Sequence, residues 1–162
     1  IYTLSLHDAL PIYTLAALGV LSSSAMAFAS GNDAAIAAAK AEVPANSEVI
    51  NSYMDDGKYN VNFRGADGAR YEVEVFALTN KVLEVEVDRM VPTKAVNVVI
   101  TPEQAQEIVL KAYPDAKNLS VFTDRDDHMV EYEVYFSTSK FRGQADVNPE
   151  TGALGDVELK YY

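Results

Sequence analysis

The chain has 162 residues, a formal net charge of −11 and no cysteine. All 13 basic residues and 23 of the 24 acidic residues lie beyond residue 29. This balance argues against nucleic acid or an anionic membrane surface as partner, because both attract clusters of Lys and Arg. The lack of cysteine excludes thiol catalysis, Cys-ligated zinc and a lipid-modified cysteine.

The first twelve residues are interpreted as foreign to the protein. Residues 1–12 resemble, codon by codon, a translated short-read sequencing adapter, so we interpret them as an adapter artefact. His7 and Asp8 lie in this segment. We therefore give neither residue a functional role.

Residues 13–29 have the composition of a signal peptide remnant. An apolar run is followed by small residues, and Ala27 and Ala29 before Ser30 form the A-x-A pattern of a cleavage site. The run is shorter than the about 20 apolar residues of a membrane span. We expect export, with an extracytoplasmic location (secreted, periplasmic or associated with the cell envelope) and no stable membrane span after the signal is removed.

The first folded segment begins with an alanine-rich helix. It is predicted from Ala34 to Glu42 and ends near Pro44, because the residue before a proline disfavours helical backbone. Alternating apolar and polar residues then predict four strands, near residues 49–54, 59–63, 71–75 and 84–87.

A second segment repeats this order at an offset of about 71 residues. Thr101, Pro102 and Gln104 have the pattern of a capping box with proline at the first helical position, and Tyr113-Pro114 ends that helix. Strands are predicted at 119–122, 130–136, 141–147 and 154–159.

The fold class predicted is therefore α+β, with two repeats of one helix packed on a four-stranded antiparallel sheet. The first repeat covers residues 33–88 and the second covers 100–162. Residues 89–99 form the linker. Residues 95–100, which begin in the linker and end at the first residue of the second repeat, have the composition of an added strand.

A tight turn is predicted between the last two strands. In it Pro149 presets φ, Asp146 and Asn148 bond the local backbone, and Gly152 following Thr151 takes a positive φ. The same residues resemble the start of a calcium loop, but the glycine is one place late and the twelfth position is not glutamate. We predict a structural turn here and no metal site.

No catalytic constellation is found. His128 is the only histidine beyond residue 29 and lies beside two aspartates at a predicted hairpin tip, as expected of a solvated turn residue. No nucleophile elbow accompanies it. We predict that the protein is not an enzyme and has no cofactor.

Acidic residues alternate with apolar ones along several strands, which places them on one face of each sheet. They are Glu72, Glu74, Glu84, Glu86, Glu131 and Glu133. Like charges across a ladder destabilise it, so this face is either a solvated surface that carries interleaved basic residues or a surface for a cation or a basic partner.

The second segment resembles a PepSY domain. The resemblance rests on residues 100–105 opening a helix, the strand 130–134 and the stretch 146–154 with its Thr-Gly. Residues 33–88 resemble the family less, having Asn80 in place of the glycine. The same residues also resemble the exported β-lactamase-inhibitor-like PepSY-like family.

The resemblance implies a cystatin-like or PepSY-like α+β interaction module outside the cytoplasm. PepSY domains occur in the propeptides of thermolysin-like metalloproteases and carry no catalytic residues. We therefore expect an exported, non-enzymatic protein-binding module, with a protein partner such as a metallopeptidase that it inhibits or regulates. The alternative is a cell-envelope cation or ligand sensor that uses the acidic sheet faces.

Overall fold

The computed structural model of the protein describes residues 31–162. The adapter-like segment, the signal peptide remnant and the predicted cleavage site at Ala27, Ala29 and Ser30 all lie outside the described residues. Export therefore stays a prediction.

Two helices and eight strands make up the described part of the chain. In order they are α1 Gly31–Lys40, β1 Glu48–Asp55, β2 Lys58–Arg64, β3 Arg70–Phe76, β4 Lys81–Asp88, α2 Pro102–Ala112, β5 Lys117–Asp126, β6 Met129–Ser137, β7 Phe141–Val147 and β8 Leu154–Tyr161. All neighbouring strands are antiparallel, in the order β1-β2-β3-β4-β8-β7-β6-β5.

The α+β class is confirmed, and the structure adds how the two groups of four strands meet. β4 pairs with β8, with Glu84 opposite Lys160 and Val87 opposite Val157. One continuous eight-stranded sheet results, with β1 and β5 at its edges. The division into two repeats stays a prediction, although each half has the order helix and then four strands.

Short turns fix the register of the outer hairpins. Asp55 pairs with Lys58 around Asp56 and Gly57, both of which have positive φ. Such two-residue turns match the twist of the flanking strands. The β5–β6 hairpin has the same form, with Asp127 (φ 44°) and His128 (φ 70°) in the turn.

The hydrophobic core lies between the sheet and both helices, which pack on the same face. Ala35 and Ala39 of α1 and Ala105 and Val109 of α2 are fully buried against alternate strand residues. The small alanine side chains let the helices approach the sheet closely. Around α2, Tyr113, Phe136, Phe141 and Tyr161 form a chain of tilted and edge-on ring contacts.

The capping box of α2 is confirmed. The Gln104 backbone N–H donates to Thr101 Oγ1, and the Thr101 N–H donates to Gln104 Oε1 at 2.8 Å. The first helix begins and ends earlier than the predicted 34–42.

The strand expected at residues 95–100 does not form. Only Ala95 makes a bridge, to Val130 at the end of β6. Val99 and Ile100 both donate their backbone N–H to the Pro149 carbonyl, so this segment follows the rim of the sheet. Pro149 lies in the turn after β7, so these two hydrogen bonds to one turn carbonyl do not form a strand ladder.

Among residues 31–162, no helix has the length and apolar character needed to cross a membrane.

Candidate functional site: the acidic face of the sheet

One face of the sheet is left open by the helices and carries most of the acidic strand residues. Register places Glu72, Glu86 and Glu158 side by side on β3, β4 and β8. The next row along the strands contains Glu74 and Glu84. The four glutamates predicted on the first segment therefore converge, in two directly opposed pairs.

A shallow groove of about 460 Å³ runs across this face. Its acidic lining residues are Glu72, Glu86, Asp88, Asp146, Asp156 and Glu158. Arg70 is the one basic residue among those that line it, and Asn62 and Gln144 are also present. The groove crosses the β4–β8 junction, so both halves of the chain contribute to it.

Lysines neutralise the second row more than the first. Lys58 Nζ lies 2.6 Å from Glu74 Oε2, and Lys160 Nζ lies 2.5 Å from Glu158 Oε1 and 3.8 Å from Glu84 Oε1. Within residues 31–162, neither Glu72 nor Glu86 forms an ion pair. The groove therefore retains uncompensated negative charge at its centre.

Burial and neighbouring charges shift the pKa values of the carboxyl groups on this face. Burial, followed by the hydrogen bond shared with Glu158, raises the pKa of Glu84 to about 7. That bond and Lys160 lower the pKa of Glu158. Burial, followed by the charge of Glu72, raises the pKa of Glu86. Glu84 and Glu158 thus share a proton near neutral pH.

Glu131 and Glu133 lie in a second acidic cluster on the same face. Glu131 is directly opposite Asp124 of β5, and Glu133 is opposite Asp146 of β7. Burial, followed by the charge of Glu131, raises the pKa of Asp146 to about 6. The Tyr135 hydroxyl donates to Glu133 Oε2 at 2.6 Å, and this bond raises the pKa of Tyr135 to about 12.

The predicted turn after β7 is built around Asn148. Its side-chain oxygen accepts from the Thr151 N–H at 2.9 Å, the Gly152 N–H donates to its carbonyl, and Gly152 has a φ of 72°. Pro149 is fully buried. Asp146 lies in β7 as the predicted strand implies, but its side chain differs from expectation: it lines the groove and accepts from Gln144 Nε2 at 3.5 Å, and it does not bond the turn backbone.

Four acidic groove residues were not predicted on this face from the sequence, namely Asp88, Asp146, Asp156 and Glu158. The alternation of Asp156 and Glu158 with Val157 and Leu159 was a usable signal for the face. This alternation does not indicate which strand lies next to β8, so the pairing of β8 with β4 could not be predicted from it. His128 is exposed at the hairpin tip and lies apart from the groove.

Residues 99–158 match the model of the PepSY family, described as peptidase propeptide and YPEB domain. This match confirms the resemblance of the second segment. A protein described as a lipoprotein from Clostridium difficile 630 is 22% identical, covering 78% of this chain and 90% of its own, with a TM-score of 0.32. A BLIP-like protein from Bacteroides fragilis NCTC 9343 is 18% identical, covering 75% and 80%, also with a TM-score of 0.32. No curated protein matches the chain.

Proposed function

We propose that the protein, whose residues 99–158 match the PepSY family model, is an exported, non-enzymatic module that binds a peptidase and restrains it. The match to a domain of peptidase propeptides is the observation that carries this proposal. The predicted signal peptide remnant supports a site of action outside the cytoplasm, where secreted peptidases work.

The acidic groove is the surface best suited to the partner. It holds six carboxylates and one arginine, so it favours a segment rich in Lys or Arg. Opposed carboxylates such as Glu72 and Glu86 destabilise the free sheet. A basic side chain placed between them relieves that repulsion and also steers association.

The edge strand β1 supplies a second contact beside the groove. Val49, Ile50, Tyr53 and Met54 are exposed on it. An edge strand leaves backbone hydrogen-bonding groups unpaired, and extended peptides can add to such edges. We place the basic segment in the groove and an adjoining extended segment along β1.

The test is inhibition of a metallopeptidase exported by the same organism, assayed with the full chain. The proposal predicts loss of activity at a stoichiometric ratio. Inhibition should weaken as salt rises, because screening reduces attraction between exposed charges. If the chain slows none of the organism's exported peptidases, the proposal is wrong.

Matched variants test the role of the groove. Glu72→Gln with Glu86→Gln removes two charges from its centre and should weaken inhibition by roughly 30-fold, equivalent to about 2 kcal/mol. Glu107→Gln with Asp115→Asn removes two exposed charges on and just after α2, and should leave inhibition unchanged. Equal effects of the two double variants would show that net charge alone is recognised.

A further inference from the structure

We propose that residues 95–100, the rim segment, enter the substrate-binding cleft of the partner peptidase and lie there as a peptide substrate would. This inference rests on the proposed function and adds to it the part of the chain that reaches the cleft. The acidic groove then holds basic residues that lie beside the cleft.

The rim segment exposes three valine side chains close together. Val96 is 65% exposed, Val98 48% and Val99 68%. None of residues 95–100 is charged, in a chain whose net charge is −11. Exposed apolar side chains that cluster mark contact surfaces. The rim segment therefore suits an apolar site on the partner, in contrast to the groove with its six carboxylates.

The backbone in the middle of the rim segment is free to bind a partner. Within residues 31–162, the backbone N–H and C=O groups of Val96, Asn97 and Val98 have no hydrogen-bond partner. A protein that binds a peptide uses the main chain for affinity and side-chain pockets for specificity. Free backbone groups beside exposed valines are therefore the features that a peptidase cleft recognises in a substrate.

Both ends of the rim segment are held in place. The Ala95 N–H donates to the Val130 carbonyl at 2.9 Å, and the Val130 N–H donates back to Ala95 at 2.7 Å. At the other end, the N–H groups of Val99 and Ile100 donate to the Pro149 carbonyl at 2.9 and 3.0 Å. A segment held at both ends loses little conformational entropy when it binds, which favours affinity.

Asn148 supports the chain that leads into the rim segment. Its Nδ2 donates to the carbonyls of Pro92 and Lys94 at 2.9 and 3.3 Å. Its Oδ1 accepts from the Thr151 N–H at 2.9 Å, and the residue is only 4% exposed. Peptidases cut chain segments that open locally. This buried support opposes such opening, so the rim segment occupies the cleft without being cut.

The rim segment lies at the end of the sheet where the groove opens. Asp88, the last residue of β4, lines the groove, and the linker starts at the next residue. The Arg89 side chain holds that start to β8 by donating to the Gly155 carbonyl at 2.7 Å. Asp146 also lines the groove, three residues before Pro149. One partner can therefore contact the groove and the rim segment together.

The side chains of the rim segment indicate which peptidases it fits. Its valines suit a cleft with pockets for branched aliphatic side chains. The nearest basic residue, Lys94, is held by Asp124 and Asp126, each 3.7 Å away. A peptidase that requires Lys or Arg in its pocket is therefore a poor match.

The first experiment measures the inhibition constant of the full chain against an exported metallopeptidase that it inhibits. Val96→Asp, Val98→Asp and Val99→Asp are made singly, because a carboxylate in an apolar pocket is costly. At least one should weaken inhibition by about tenfold or more. Leu78→Asp makes the same kind of change at an 85% exposed residue of the β3–β4 turn, at the other end of β4. That control should stay within about twofold of the wild type.

The second experiment removes the support with Asn148→Ala, at a temperature where circular dichroism shows that the variant is folded. The same peptidase should now cut the variant between residues 95 and 100, as mass spectrometry of the fragments would show, while the wild type stays intact. Cuts that all lie outside residues 95–100 would overturn the proposal.

The two proposals fail in different ways. If the wild-type chain inhibits no exported peptidase, the proposed function is wrong. If the chain inhibits but all three valine variants act like the wild type, only the role of the rim segment is refuted. An equal loss of inhibition in Leu78→Asp would also refute it, since that would indicate an effect of added charge alone.

Discussion

The raised pKa of Glu84 predicts that the protein loses stability as pH rises from 5 to 8. Burial and the bond to Glu158 raise this pKa from 4.5 to about 7. Between these values the folded chain holds a proton that the unfolded chain has released, so stability falls as pH rises. The stabilising contribution is complete below about pH 4.5 and is lost as pH passes through 7. The lowered pKa of Glu158 acts only below pH 4.5 and with the opposite sign.

The magnitude follows from the shift and from the surroundings of the side chain. A shift of this size in a dry site would correspond to about 3 kcal/mol. The Glu84 side chain is 20% exposed and lies beside Lys160, so solvent screening reduces the effect to about 1 kcal/mol. Glu84→Gln mimics the protonated form, because the amide can also donate to Glu158. The variant should match the wild type at pH 5 and exceed its stability by about 1 kcal/mol at pH 8.

Urea denaturation at several pH values, with a chelator present to remove cations, measures this difference. The variant's midpoint at pH 8 should be higher by about 0.5 M urea. Its pH dependence should be shallower but not flat, because the raised pKa values of Glu86 and Asp146 act in the same direction. Glu107→Gln, an exposed helical control, should follow the wild type. Parallel curves for Glu84→Gln and the wild type would refute the reasoning.

Three further substitutions test the local structure, each by thermal or urea unfolding. Gly152→Val should lower the free energy of unfolding by about 2 kcal/mol or more, because φ is 72° and a Cβ would lie 3.2 Å from Ile108 Cδ1. Unchanged stability would refute the assignment of this turn. Gly143→Ala should lower the free energy of unfolding by about 1–3 kcal/mol, because a Cβ would overlap the Phe136 ring. Unchanged stability would mean that the ring moves freely. His128→Gly should stabilise the β5–β6 turn by about 0.5–1 kcal/mol, and a loss of stability would show that the imidazole has a structural role.

Local patterns were enough to predict most of the elements. The capping box at Thr101 and Gln104 depends on four consecutive residues, and strand alternation depends on a period of two, so both can be read without tertiary information. The Asp56-Gly57 turn is equally local. The acidic face followed from the same alternation.

The composition of the site could not be predicted because it depends on pairing between distant strands. β4 and β8 are separated by more than 60 residues, and no local signal shows that they lie side by side. That pairing brings Glu158 beside Glu86 and creates the groove. The bridge between Ala95 of the rim segment and Val130 of β6 is likewise nonlocal.

The central claim is that the acidic face binds a peptidase, and the most direct measurement is the mass of the complex in solution. The full chain is mixed with an exported metallopeptidase of the same organism and examined by sedimentation at low and high salt. We predict a complex of one chain and one peptidase that dissociates as salt rises and that Glu72→Gln with Glu86→Gln weakens. Two species that sediment independently at low salt would contradict the claim.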